Sequence, residues 1–234
     1  MLILSRTDVR ALLDLDALVD ALAKAMADLS AGRASAPDRI AALVPERDGL
    51  LAAMPGYVPS RKALVSKLVT LFPRNAGTSV PTHQAVIVVF DPATGSPDAL
   101  LDGTEITAAR TAAASALSAR LLARREASVL AVLGTGVQAG SHARALVRVR
   151  PITELRIAGR EPEKARVLAG ELAAETGLPA AAAASYHEAM DHADIVCATT
   201  HSIEPVVRRE WVSPGTHITS VGYTPPAARS TTTP

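Results

Sequence analysis

The chain is nearly devoid of aromatic residues. Phe, Tyr and Trp make up 3% of its 234 residues. Large rings usually supply much of a core's buried area, so this core has to be built from Ala, Leu and Val. Cysteine occurs once, at Cys197. One thiol excludes an intramolecular disulfide and fits a reducing compartment, so a cytoplasmic location is expected. The N-terminal MLILSRTDVR holds too short an apolar stretch for a secretory leader. No apolar run approaches the ~18–20 residues that cross a bilayer. An excess of one charge is missing too. The 24 Lys and Arg stand against 23 Asp and Glu, for a net charge of +1. The cations are scattered, so neither nucleic acid nor a membrane is expected as a partner. No His, Cys, Asp or Glu cluster has metal-ligand spacing, and no metal is expected.

What is present reads as globular, with 48% hydrophobic and 20% charged residues. The length suits one large domain or two small ones. Ser5 followed by Asp8 marks a helix start. Leu12, Leu15, Leu18, Leu22, Ala25 and Leu29 then recur at helical spacing until Gly32, which predicts one long helix. Strand-like runs follow at 40–44, 50–54, 63–72, 84–90 and 97–101, separated by Pro, Gly, Asp and Asn turns. A helix over about 104–124 comes next, with Ile106, Ala109, Ala113, Leu117 and Leu121 as its apolar stripe.

From Ser128 the pattern becomes strand, helix, strand, helix: 129–133, 138–149, 154–158 and 162–175. A short helix near 186–190 and strands at 195–199 and 218–221 complete it. The first strand ends in Gly134-Thr135-Gly136-Val137-Gln138-Ala139 and runs into a helix. That is the G-x-G-x-x-G/A dinucleotide fingerprint in its strand–turn–helix context. Gly134 permits the turn, Gly136 lets backbone approach a pyrophosphate, and Ala139 lets helix pack on strand. The phosphates belong at the helix N-terminus. The predicted fold is α/β: an N-terminal α+β substrate and dimerisation domain, residues 1–112, joined by a long helix to a Rossmann-type dinucleotide-binding domain, residues 113–234.

Two cations occupy apolar positions. By the two-residue period of a strand, Lys67 falls on the same face as Val65, Val69 and Leu71. Arg110 lies four residues after Ile106 and three before Ala113, on the helix stripe. A buried cation needs an anionic partner. A lysine snorkelling at a sheet edge or a structural salt bridge would account for either one. The other reading is a cleft that holds an anionic substrate against a cofactor. His83 and His142 read as mainly structural, Cys197 as core and Glu188 as a solvated charge.

Several stretches together resemble one family. They are Lys67-Leu-Val-Thr-Leu-Phe-Pro73, Pro81-Thr-His-Gln-Ala-Val86, Asp91-Pro-Ala-Thr-Gly95, Leu101 to Ser115, Gly134 to Ala139 with His142, Ala198-Thr-Thr200, Pro205-Val-Val207 and Trp211-Val-Ser-Pro-Gly215. In that order they look like the ornithine cyclodeaminase/mu-crystallin family, over nearly all of residues 1–226. The resemblance implies an NAD(P)-dependent, homodimeric enzyme acting on small amino or imino acids. It implies that Arg39, Lys67 and Arg110 bind the substrate carboxylate, with Lys67 and Arg110 also catalytic. Thr82, Arg110 and Thr111 would line the nicotinamide side. Gly134, Thr135, Gly136, Val137, Gln138 and Ala139 would hold the pyrophosphate. Thr199 and Thr200 would lie near the ribose or nicotinamide, with Val221 and Gly222 also on the cofactor side.

Three departures from the family pattern shape the expectation. Cyclodeaminases of the family place an aspartate two positions after the late Val-Gly; here that position is Thr224, next to the substrate. A threonine is no general base near neutral pH, which favours plain imine reduction. The second Rossmann strand ends in Gly159-Arg160 where NAD enzymes carry an acid. A guanidinium suits a 2′-phosphate, so NADP(H) is the expected cofactor, with NAD(H) possible. After Pro226 the family continues with further Rossmann elements, whereas this chain closes in an Ala/Ser/Thr-rich tail. The Rossmann half therefore reads as C-terminally shortened. The expected function is reduction of a small cyclic 2-imino acid such as Δ1-pyrroline-2-carboxylate. Ornithine cyclodeamination, an alanine dehydrogenase-like activity and a non-catalytic nucleotide-binding protein are the alternatives.

Overall fold

The structure is a computed structural model that describes residues 1–222. It divides into two compact units, Met1–Ala114 and the residues from Ser115 onward.

The first unit opens with β1 (Leu2–Leu4), α1 (Arg6–Leu12) and α2 (Leu15–Ser30). The single helix expected from leucine spacing is thus two. Leu13 is extended, and the Asp14 carboxylate accepts the Ala17 N–H at 2.7 Å. A strong N-cap starts a new helix there although the apolar period runs through the break. Five more strands follow: β2 (Ile40–Val44), β3 (Gly49–Val58), β4 (Ala63–Leu71), β5 (His83–Phe90) and β6 (Pro97–Asp102). They form one sheet in the order β1-β6-β5-β4-β3-β2, antiparallel except for the β1–β6 pair. β3 is longer than its apolar run because its Pro55-Gly56 stretch stays paired with Val65 and Ser66. The register gives the two faces different roles. Ala52, Val69 and Ala85 are buried side by side on one, flanked by Leu50 and Met54. The other presents Ile3, Ile40, Leu51 and Val86, all exposed.

α3 (Gly103–Leu122) starts where Asp102 accepts the Glu105 N–H at 2.7 Å. Its first turn lies tight on β5, since a Cβ on Gly103 would come within 2.9 Å of the Ala85 backbone. The expected stripe is corrected here. Ala108, Ala112, Ala113, Ala116, Leu117 and Ala119 are buried, while Leu121 is 70% exposed. Arg110 is exposed, not buried as its place on the supposed stripe required. Alanine supplies most of the buried face of this helix, with Leu117 beside it.

The second unit is a doubly wound layer built from β7 (Val129–Leu133), α4 (Val137–Leu146), β8 (Glu154–Ala158), α5 (Pro162–Thr176), β9 (Ala180–Ala182), α6 (Tyr186–Met190), β10 (Ile195–Ala198) and β11 (His217–Ser220). Its five strands are all parallel, ordered β11-β10-β7-β8-β9. Counted from the fingerprint strand this is the Rossmann order 3-2-1-4-5. Alternate residues go to opposite faces. Leu130, Val132, Ile157 and Cys197 join a core with Ala143, Leu146, Leu168 and Leu172 from α4 and α5. Ala131, Leu133 and Val196 join Ala189 and Met190 of α6 on the other side. Burial pushes the Cys197 thiol up to about 12, and the Thr219 hydroxyl donates to its sulfur. His142 is fully buried; its Nδ1 donates to the Gln138 carbonyl at 2.7 Å, and its Nε2 accepts from Ser115 Oγ at 3.1 Å. Glu188 accepts the Ala184 N–H while its own N–H donates to Ser185 Oγ, so it works as an N-terminal brace of α6. Among the described residues no helix is long and apolar enough to cross a membrane, and no acidic, His or Cys group could hold a metal.

Candidate functional site

Strand order alone marks a ligand position in the second unit. Connections from β7 run one way and those to β10 the other, so a crevice opens beyond the carboxyl ends of those two strands. Gly134 sits at the end of β7 with φ of +137°, a region side chains avoid. A Cβ there would lie 2.6 Å from Thr199 Oγ1, at the end of β10. Thr199 is fixed in turn: its N–H and its hydroxyl both donate to the Leu133 carbonyl, at 2.8 and 3.1 Å. Gly136 caps α4 without a side-chain bond, and a Cβ on it would meet nothing within 4 Å. The first-turn amides of Val137 and Gln138 find no backbone acceptor among the described residues. Ala139, on the inner side of α4, is completely buried, whereas Val137 is 76% exposed. The Gln138 Oε1 is buried and lacks a hydrogen-bond partner among the described residues.

These features surround a cavity of about 450 Å³. Gly134, Thr135 and Gly136 form one wall, Thr199 and Thr200 another, and Gly159 and Arg160 a third. Free amides at a helix N-terminus, an open Gly136 and a groove only glycine permits fit a dinucleotide pyrophosphate. Val221 donates its N–H to the Ala198 carbonyl at 3.0 Å, and Gly222 lies against the Thr200 carbonyl. Thr224 lies outside the described residues. Glu161, Lys164 and His201 also line the cavity and were not foreseen. A glutamate and a lysine three residues apart look like any solvated helix pair, so their spacing carried no signal.

The first unit gathers cations. Lys67 stands mid-way along β4, opposite Met54 and Ile87, on the face that holds the Ala52–Val69–Ala85 core. It is half-buried, and burial followed by the charges of Arg110 and Arg39 pushes its pKa down to about 8. Arg110 has its own pKa lowered, by desolvation first and Arg39 second. The residue is nonetheless exposed as a whole. His83 begins β5 on the face of Lys67. Burial, then Lys67 and Arg110, hold it below the usual histidine range, so it stays neutral near pH 7. Among the described residues neither Arg39, Lys67 nor Arg110 has a carboxylate partner. Thr82, next to His83, is exposed, and Thr111 spends its hydroxyl on the Thr107 carbonyl at 2.6 Å. Like charges gathered without a counter-ion raise the free energy of the empty site. An anion relieves that cost, and a carboxylate also matches the flat fork of arginine.

The comparisons with known proteins agree with this architecture. The pattern of the ornithine cyclodeaminase/mu-crystallin family matches residues 1–230. The chain belongs to that family. Over 212 residues it is 37% identical to the ketimine reductase mu-crystallin of Mus musculus, covering 89% of this chain and 66% of that protein. It therefore spans about two thirds of that relative's length. The structure of Thermococcus litoralis Δ1-pyrroline-2-carboxylate reductase, in complex with NADH and L-proline, superposes with a TM-score of 0.90 at 36% identity. That match covers 95% of this chain and 69% of the other. An archaeal alanine dehydrogenase dimer with bound NAD matches with a TM-score of 0.86 at 32% identity, over 93% of this chain and 66% of that one.

Two outcomes are expected. Gly134→Ala forces a Cβ onto Thr199 and removes detectable dinucleotide binding in a fluorescence titration, while circular dichroism stays native. Binding of a small carboxylate such as pyrrole-2-carboxylate weakens as pH rises past about 8. Below that pH Lys67 already carries its proton; above it, binding the anion requires proton uptake, so affinity falls by about tenfold between pH 7.5 and 9.5. Calorimetry in two buffers of different ionisation enthalpy measures the proton taken up, and Lys67→Met flattens the dependence.

Proposed function

We propose that this protein is an NAD(P)H-dependent reductase of small 2-imino acids, cyclic ones such as Δ1-pyrroline-2-carboxylate foremost. The observation that carries the reading is the set of cations without a counter-ion, with Lys67 brought to about 8 among Arg110 and Arg39. Reduced nicotinamide, when bound, supplies a hydride to the C=N carbon, the nitrogen takes a proton, and the amino acid results. Gly134, Gly136 and the first-turn amides of α4 hold the pyrophosphate. Arg39 and Arg110 orient the substrate carboxylate and thereby the C=N bond beside it. Lys67 is the proton donor, since a pKa near the working pH lets it give a proton up and regain it. Neutral His83 adds bulk to the site without competing for the carboxylate.

Thr224 supports reduction over cyclodeamination, because a threonine at that position provides no base for the additional steps. Arg160 at the cavity wall supports NADP(H) as the preferred cofactor, with NAD(H) accepted. The NADH and NAD in the related structures support the dinucleotide itself. A homodimer is supported by the exposed sheet face of Ile3, Ile40, Leu51 and Val86, an apolar surface that a second copy would cover, and by the dimeric alanine dehydrogenase. A reducing, cytoplasmic setting remains the reading of the lone buried thiol.

The test is fluorescence titration with NADPH and NADH, then addition of Δ1-pyrroline-2-carboxylate or Δ1-piperideine-2-carboxylate. Oxidation of the bound cofactor is the expected result. Binding without oxidation of any imino acid sinks the reductase reading, and ammonia release from ornithine points to the cyclodeaminase instead. Lys67→Ala is expected to lower turnover by about 10²-fold or more with cofactor affinity unchanged. For the dimer, Leu51→Glu is expected to halve the mass seen by light scattering. A wild-type protein that already runs as a monomer would refute that part.

A further inference from the structure

The rim of the dinucleotide cavity carries more charge than one phosphate-reading arginine. Arg160 is followed by Glu161, the N-cap residue of α5, whose side chain makes no cap bond. Its carboxylate is instead held by Lys164 Nζ at 2.7 Å. All three residues line the cavity. Lys164 is four positions after Arg160 and sits in the first helical turn, after Pro162 at the helix start. Two cations and one anion thus ring the place where a strand-end acid would meet the adenosine ribose.

Each charge has a definite effect on the two cofactors. A carboxylate at this rim accepts hydrogen bonds from the free ribose hydroxyls of NAD(H), and it repels the 2′-phosphate of NADP(H). Lys164 cancels that repulsion as long as it stays near. The Glu161–Lys164 pair is open to water, with side chains 63% and 61% exposed. Exposed pairs of this kind are weak and easily broken. A phosphate carrying close to two negative charges competes successfully for the ammonium group.

We propose that the Glu161–Lys164 pair sets the choice between the two cofactors. With NADP(H), Lys164 leaves Glu161 and joins Arg160 on the 2′-phosphate. With NAD(H), Lys164 stays back and Glu161 accepts from the ribose. The site is built to take both, and this inference rests on the reading that the cavity holds the adenosine end of the dinucleotide.

The experiment measures affinities for NADPH, NADH, adenosine 2′,5′-bisphosphate and adenosine 5′-monophosphate in the whole chain and its variants. Lys164→Gln is expected to weaken NADPH and the bisphosphate by about tenfold and NADH by no more than about twofold. Glu161→Gln is expected to weaken NADH several-fold and to leave NADPH equal or tighter. In the double variant the loss for NADPH is smaller than in Lys164→Gln alone, because the repelling carboxylate is gone. Equal losses for both cofactors in Lys164→Gln, or none, overturn the proposal. Arg160→Ala separates the two levels. If it abolishes the preference for NADPH while Lys164→Gln does not, the phosphate reading stands and the pair has no role. If the wild-type protein binds neither dinucleotide nor nucleotide, both fall together.

Discussion

The close approach of β7 to β10 at their carboxyl ends is the constraint on which the nucleotide half depends. Gly134 has to turn through a conformation reserved for glycine just where Thr199 fills the space a side chain would occupy. Thr199 is not free to give way, because two hydrogen bonds pin it to the Leu133 carbonyl. The parallel sheet sets that distance, and the sheet in turn is packed on both faces by small residues. Ala131, Ala139, Ala143, Ala158, Ala165 and Ala189 are all buried almost completely. A chain poor in aromatics obtains its cohesion by bringing backbones together rather than by filling gaps with rings. The same economy of volume leaves the crevice beyond the strands, and the helix that follows Gly136 presents its unpaired amides there.

The first unit works on the opposite principle. Its sheet does not relieve a strain but stores one, of charge. Lys67 is placed among apolar neighbours by strand register, and two arginines are brought near it with no acid to offset them. A folded protein tolerates such an arrangement when ligand binding recovers the cost. On the proposed reading, the substrate carboxylate supplies the missing counter-charge. A weakly basic lysine in this setting also differs from a surface one, since it can part with its proton at a pH where ordinary lysines cannot.

Much of this was legible before any coordinates. The strands at 40–44 and 129–133 begin and end where the apolar runs do, and the one at 154–158 has the bounds expected of it. The glycine fingerprint was readable because β-branched residues stop abruptly at Gly134. Lys67 was readable because a two-residue period has only two faces. What escaped has physical reasons. α3 is so rich in alanine that its period carries little contrast, and Arg110, placed on the buried side by its spacing from Ile106 and Ala113, is exposed. The break before Asp14 was hidden because the leucine rhythm continues through it, and only a side-chain cap shows where one helix ends and another starts. The short strands β1 and β9 gain their pairing from neighbours far along the chain, which no local pattern reports. Glu161 and Lys164 went unnoticed because an isolated pair of opposite charges is the commonest thing on a helix surface.

The position of Cys197 has a consequence of a different kind. Its thiol lies in the middle of β10, buried and with its pKa driven up to about 12. At physiological pH almost no thiolate forms, and peroxide, nitrosating agents and glutathione disulfide meet no nucleophile there. On the proposed reading the protein moves electrons for a living, yet it is deaf to the thiol signals by which many oxidoreductases are switched. On that reading, the redox state of the surroundings reaches the chain through the ratio of reduced to oxidised nicotinamide at the crevice beside Gly134, not through Cys197.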